Sequence, residues 1–222
     1  MQFLRKKLAS SAEFPRIAPF AIYALLGAFQ AEGSQARYWF YIAKTVFGAW
    51  MVWEIRPFVP EMRWRTSWEA VVVGVAIFGI WIGLDGWYPR LTKLDDGANP
   101  FAQFGSSSIT AWFYISVHII GMTVIVPPVE ELFYRSFLYR YFVKLDFLAM
   151  PLGQFHALSF FVTSILFGVM HPDRWLAGII CGLAYQWLVV RKNRLGDAMT
   201  AHGITNFLLG LWIVWKHQWS FW

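Results

Sequence analysis

Eight apolar runs separated by short polar punctuation leave this chain few ways to fold. They fall near 16–31, 37–55, 68–85, 108–126, 128–144, 155–171, 174–190 and 196–215 of a 222-residue sequence. Each approaches the roughly 20 residues that a helix needs to cross a bilayer. A transmembrane β-barrel would alternate apolar and polar residues over segments of about ten, whereas these runs are uniformly apolar. Composition agrees. The chain is 58% hydrophobic and 14% charged, against about 45–50% and about 25% in a soluble domain. The expectation is an all-α, polytopic membrane protein of about eight transmembrane helices, forming one integral membrane domain over 1–222.

Charge and aromatic content fit that class. The net charge of +6 comes from Lys and Arg in the short connections, where it sets orientation and meets lipid headgroups. No basic stripe exists, so nucleic acid is excluded as a partner. The 14 Trp and 9 Tyr suit interfacial belts. The basic N-terminus, Met1 to Ser11, lacks a signal-peptide cleavage pattern, so the apolar run after it reads as a retained first helix. The positive-inside rule puts Arg5, Lys6 and Lys7 in the cytoplasm, and two spans return Arg56, Arg63 and Arg65 there. Eight spans would then leave Arg191, Lys192 and Arg194 outside, against the rule, unless one segment stops short; 128–144 is the candidate. Cys181 is alone, which rules out an intrachain disulfide and a Cys-rich metal site; it reads as an inert core residue. The longest non-apolar stretch, Asp85 to Ser108 with Asp95, Asp96, Gly97, Asn99 and Pro100, reads as a loop at the interface.

Within this apolar background one run stands out: Pro127-Pro128-Val129-Glu130-Glu131-Leu132-Phe133-Tyr134-Arg135. An ionisable group at the bilayer centre costs about 2.5–3.5 kcal/mol on insertion scales. Three of them persist only if they pair, face a polar cavity or do chemistry. Pro127-Pro128 predicts the end of one helix and the start of the next, with Glu130 and Glu131 in a first turn favoured by the helix dipole. Arg135 lies four residues beyond Glu131, on the same face. Glu130 points about 100° away and is left as the candidate general base. Downstream, His171 ends the run Phe167-Gly168-Val169-Met170-His171 before Pro172. His202 and Asn206 then share a face of the last helix at i and i+4. A carboxylate, two imidazoles and a carboxamide converging between helices would make a water-activating site with oxyanion donors in an intramembrane polar cavity.

Plainer explanations compete with each residue. A Glu–Arg pair in a membrane helix is more often structural than catalytic. His156 and His217 read as interfacial and His118 as a helix–helix contact. Asn206, Gln186, Thr163 and Ser164 read as interhelical hydrogen-bond glue. The Trp and Phe stripes read as packing and belt. Two His and one Glu are also a zinc-type ligand set, although no His-Glu-x-x-His motif is present and the three lie on separate helices. Zinc therefore stays open beside a site with no cofactor.

The three motifs together resemble the CPBP family of CAAX-processing and bacteriocin-processing membrane proteins, also called Abi, with its type II CAAX prenyl endopeptidases. The family pattern is Glu-Glu-x-x-x-Arg, Phe-x-x-x-His and His-x-x-x-Asn or Asp. Here it reads EELFYR, FGVMH and HGITN, in order, over a core of about 125–210. The resemblance implies an eight-helix intramembrane glutamic endopeptidase in a bacterial inner membrane, acting on a membrane-associated peptide or protein. By carry-over, Glu130 would activate water with help from His171, His202 and Asn206 would stabilise the oxyanion, and Glu131 and Arg135 would support the site. Length and Trp content also resemble the exosortase-associated CAAX-protease-related proteins. The Asp85–Ser108 connection has no counterpart in the family pattern. The rivals from other classes are a non-catalytic immunity or scaffold protein of the same fold and a zinc-dependent membrane hydrolase. An intact set of site residues favours the enzyme.

Overall fold

The computed structural model describes residues 2–28, 35–93 and 97–222. Met1, residues 29–31 of the first predicted span, and Asp95 and Asp96 of the long connection lie outside the described residues. Within them the chain is all-helical, with no strand. The elements are α1 (Gln2–Ser10), α2 (Phe14–Ala28), α3 (Ala36–Ile55), α4 (Trp68–Gly83), α5 (Pro100–Phe104), α6 (Ile109–Tyr141), α7 (Ala157–Val169), α8 (Trp175–Lys192) and α9 (Gly196–Lys216). By length and hydropathy, α6 and α9 can each cross a membrane alone; segments of α2, α4 and α7 form shorter apolar helices.

The largest departure from expectation is α6. The predicted spans 108–126 and 128–144 are one continuous helix of 33 residues, and the predicted break at Pro127-Pro128 does not occur. Seven helices of 13 residues or more, not eight, are therefore found among the described residues. The reason is a local change of helical pitch. Gly121–Ile125 forms a π-turn, and the Val126 N–H reaches back five residues to the Gly121 carbonyl. Neither proline has an N–H to give. The wider turn absorbs them, and the freed carbonyls of Met122 and Thr123 turn toward α9. Asn206 Nδ2 donates to the Met122 oxygen at 2.7 Å. Gly203 lies so close that a Cβ there would stand 3.0 Å from the Thr123 oxygen. A second π-turn, Leu132–Leu138, follows. Turns of this kind gather at functional sites. Glu130 and Glu131 consequently lie deep within a helix, not in the first turn of one.

Small residues let the helices close around this element. Gly74 of α4 faces α9 so tightly that a Cβ would lie 2.7 Å from the Ala201 carbonyl oxygen. Gly178 of α8 packs on Gly168 of α7 so tightly that a Cβ there would lie 2.8 Å from the Gly168 Cα. Such close approach is how helices associate in lipid. The resulting core joins Leu132, Tyr134, Phe167, Tyr185, Leu188, Met199 and Ala201. The predicted Asp85–Ser108 loop contains α5, capped by the Asn99 side chain. It packs on the turn before α8, where Leu91 N donates to the Pro172 carbonyl and Trp175 Nε1 to that of Pro89. At the other end the linker between α3 and α4 is fastened through Glu61. Its carboxylate takes Arg16 at 2.7 Å, Ser136 at 2.5 Å and Arg140 at 3.5 Å.

Candidate active site

The two adjacent glutamates have different surroundings because α6 turns them apart. Glu131 is fully buried. Its Oε2 lies 3.2 Å from Arg135 Nε, one turn along, and its Oε1 lies 3.0 Å from His202 Nδ1. The contact with Arg135 is an ion pair whose angle falls short of a hydrogen bond. Arg135 is held from its other sides by aromatic faces, its guanidinium carbon 4.4 Å from the Phe167 ring centroid and 5.4 Å from that of Tyr134. Such faces attract a desolvated cation. An ionised carboxylate only accepts, so His202 presents its Nδ1–H to Glu131 and its Nε2 faces the other way. There, 4.0 Å off, lies Glu130 Oε2, which has no hydrogen-bond partner among the described residues. Arg135, Glu131, His202 and Glu130 thus form a continuous line, and only its Glu130 end is partly open, with 18% of that side chain exposed.

The other two predicted site residues stand one step back. α7 ends at Val169, so His171 lies in the following turn and not at a helix end as the run suggested. Its Nδ1 pairs with the Phe167 carbonyl at 2.9 Å, which leaves Nε2 free. The Phe167 ring neighbours both imidazoles, 5.0 Å from His171 and 6.2 Å from His202, and Trp81 meets His171 edge-on at 5.4 Å. No hydrogen bond or ion pair links His171 to either glutamate among the described residues. Asn206 spends one amide hydrogen on the Met122 carbonyl and keeps the second. No group of three His, Cys, Asp or Glu side chains with metal-holding geometry is found among the described residues.

Two site neighbours escape sequence reasoning. Tyr185 of α8 stacks on His202 at 5.2 Å and donates to Thr205 Oγ1 at 2.7 Å; Thr205 lies 2.9 Å from the Gly74 carbonyl. The available signal was a tyrosine in mid-span, whose hydroxyl must find a partner away from water. His118 lies outside the site, stacked between Tyr41 at 3.8 Å and Trp222 at 4.2 Å. Thr163 and Ser164 bond back within α7, and His156 caps the start of that helix.

With this geometry in hand, comparison with protein families gives a match over residues 112–208 to the Rce1-like model, described as type II CAAX prenyl endopeptidase Rce1-like. The match covers a little under half of the chain and includes all three motifs. Comparison with curated proteins and with solved structures returned no match. The family is one of membrane-embedded endopeptidases. From α6 through the first half of α9, the chain is similar to the Rce1-like type II CAAX prenyl endopeptidases.

Proposed function

We propose that this protein is an intramembrane glutamic-type endopeptidase that hydrolyses a peptide bond of a membrane-associated protein or peptide, with Glu130 activating water. One observation carries the reading: a partly open carboxylate without a hydrogen-bond partner among the described residues, 4.0 Å from an imidazole nitrogen whose other side is fixed by a buried carboxylate. That gap is too long for a direct hydrogen bond and short enough for one water to touch both groups.

In this mechanism Glu130 takes a proton from the water as its oxygen adds to the scissile carbonyl carbon. The developing oxyanion is met by His202 Nε2 in its protonated form and by the second amide hydrogen of Asn206. Collapse of the tetrahedral intermediate expels the amine, which receives the proton held by Glu130. His171 assists by orienting water with its free Nε2. Glu131 and Arg135 hold His202 in register. The mechanism needs no metal. The seven longer helices cross a bacterial inner membrane with the N-terminus in the cytoplasm.

The test is proteolysis of a quenched, lipid-anchored peptide by purified protein in liposomes, with and without a chelator. Turnover that survives the chelator, from protein without bound zinc by elemental analysis, supports the reading. Stoichiometric zinc whose removal abolishes turnover overturns it and makes Glu130, His171 and His202 metal ligands. Absence of cleavage across a panel of membrane peptides favours the non-catalytic scaffold.

A further inference from the structure

A second site lies at the end of the bundle that carries the arginines. The α3–α4 linker and the last turn of α3 enclose a cavity of about 630 Å³, with Arg5, Arg56, Arg63, Trp53 and Trp64 on its walls. Glu54 also lines it, but this carboxylate is buried and already paired with Arg5 at 3.0 Å. Arg56 and Arg63 are exposed and have no carboxylate partner among the described residues. Arg56 lies over the exposed Trp53 ring, 6.0 Å from its centroid. Glu54 is also the boundary of a second, smaller groove of about 170 Å³ between α2 and α3. Apart from that paired carboxylate its lining is apolar, with Leu8, Ile22, Phe47, Trp50 and Met51 among the residues. A basic, tryptophan-edged cavity thus adjoins an apolar groove between α2 and α3, with Glu54 on the wall of both.

We propose that these two adjoining spaces bind one anionic phospholipid, the phosphate held by Arg56 and Arg63 and an acyl chain in the α2–α3 groove. The chemistry on each side is complementary. Two free guanidiniums suit a phosphate, tryptophan favours the headgroup layer, and basic pockets between helices on the cytoplasmic side recognise anionic headgroups. The paired Glu54 contributes no net repulsion. The site touches α9, which carries His202, without sharing a residue with the line from Arg135 to Glu130. The Arg63 carbonyl packs against Gly196, the Arg65 carbonyl takes a hydrogen bond from Thr200 at 2.9 Å, and Trp64 lies against Gly203.

Native mass spectrometry of the delipidated full-length protein, titrated with phosphatidylglycerol or phosphatidylcholine in detergent, tests this. One phosphatidylglycerol should bind in clear preference to phosphatidylcholine. Arg56→Gln with Arg63→Gln should weaken it about 25-fold, each basic side chain near an anionic surface being worth a factor of about five. Arg56→Lys with Arg63→Lys should restore most of the binding. Ile22→Trp, which fills the groove, should weaken phosphatidylglycerol and leave the unfolding temperature unchanged. Equal binding of the two lipids, or no loss in the double glutamine variant, overturns the proposal. Competition by inorganic phosphate as strong as by the lipid, with Ile22→Trp neutral, also overturns it, since the site would then serve a soluble anion.

Discussion

Glu130 and Glu131 are neighbours in sequence and opposites in environment, and the division was half legible from spacing. The four-residue step to Arg135 pointed to the ion pair on Glu131. It did not point to His202, which is 71 residues away and uses its Nδ1 on the same carboxylate. Asn206 was legible as a polar residue facing a partner. Its actual acceptor, the Met122 carbonyl, exists only because proline and a π-turn leave that oxygen without a donor. Glu61 is a residue that sequence reasoning passed over, because nothing local marks a linker glutamate as a junction. Burial pushes its carboxyl up, but Arg16 and the Ser136 hydroxyl more than offset this and hold it below the ordinary value. A depressed carboxyl contributes stability that is complete above the unfolded value of about 4.3 and is lost as pH falls through the folded one. Thermal unfolding in micelles should therefore drop on acidification below about pH 4, and Glu61→Gln should flatten that acid limb. An unchanged limb in the variant would show that other carboxylates set it.

At the scale of elements, helix class and most helix positions followed from apolar run length, since a lipid-facing helix must satisfy its backbone internally. The failure at Pro127-Pro128 has a physical cause. Proline breaks an α-helix because the i−4 bond is missing and the ring clashes with that carbonyl. Here the preceding π-turn, with the Val126 N–H on the Gly121 carbonyl, widens the backbone ahead of the prolines, and Asn206 of α9 supplies a substitute donor to the freed Met122 oxygen; neither is encoded within the run itself. The α4–α9 contact is similar, since Gly74 gave no signal until its opposite backbone was known. Gly74→Val should collide with the Ala201 carbonyl and cost on the order of 1–3 kcal/mol, the usual range for overpacking. Because Ala201 precedes His202, the variant should lose turnover out of proportion to its fall in unfolding temperature. Wild-type turnover in a destabilised Gly74→Val would show that α9 does not need this contact to place His202.

At the scale of the molecule, joining two predicted spans into one would remove the conflict in charge distribution under the proposed seven crossings. With α6 as a single crossing, Arg191, Lys192 and Arg194 return to the side of Arg56, Arg63 and Arg65. The contacts agree, since Lys192 pairs with Glu69 at 2.5 Å and Gly196 packs on the Arg63 carbonyl. No sequence count could decide this while the Pro-Pro step was read as a break. The single native cysteine, Cys181, is buried, so single-cysteine labelling is practical. Cysteines at Arg63 and Arg191 should react with an impermeant maleimide from the same membrane face, and one at Trp87 from the opposite face. Labelling of positions 63 and 191 from opposite faces would refute the seven-crossing arrangement.

The central claim is that Glu130 does chemistry while Glu131 holds the site together, and a paired comparison of Glu130→Gln and Glu131→Gln tests it most directly. Unfolding temperature and turnover of the lipid-anchored peptide would be measured on the same preparations. Glu130→Gln should keep the wild-type unfolding temperature and lose turnover by a factor of at least about 100, the contribution typical of a general base. Glu131→Gln should lose stability as well, by about 3–5 kcal/mol, because it leaves Arg135 buried without its counter-charge. Near-wild-type turnover in Glu130→Gln, or a Glu131→Gln protein as stable as the parent, would contradict the account.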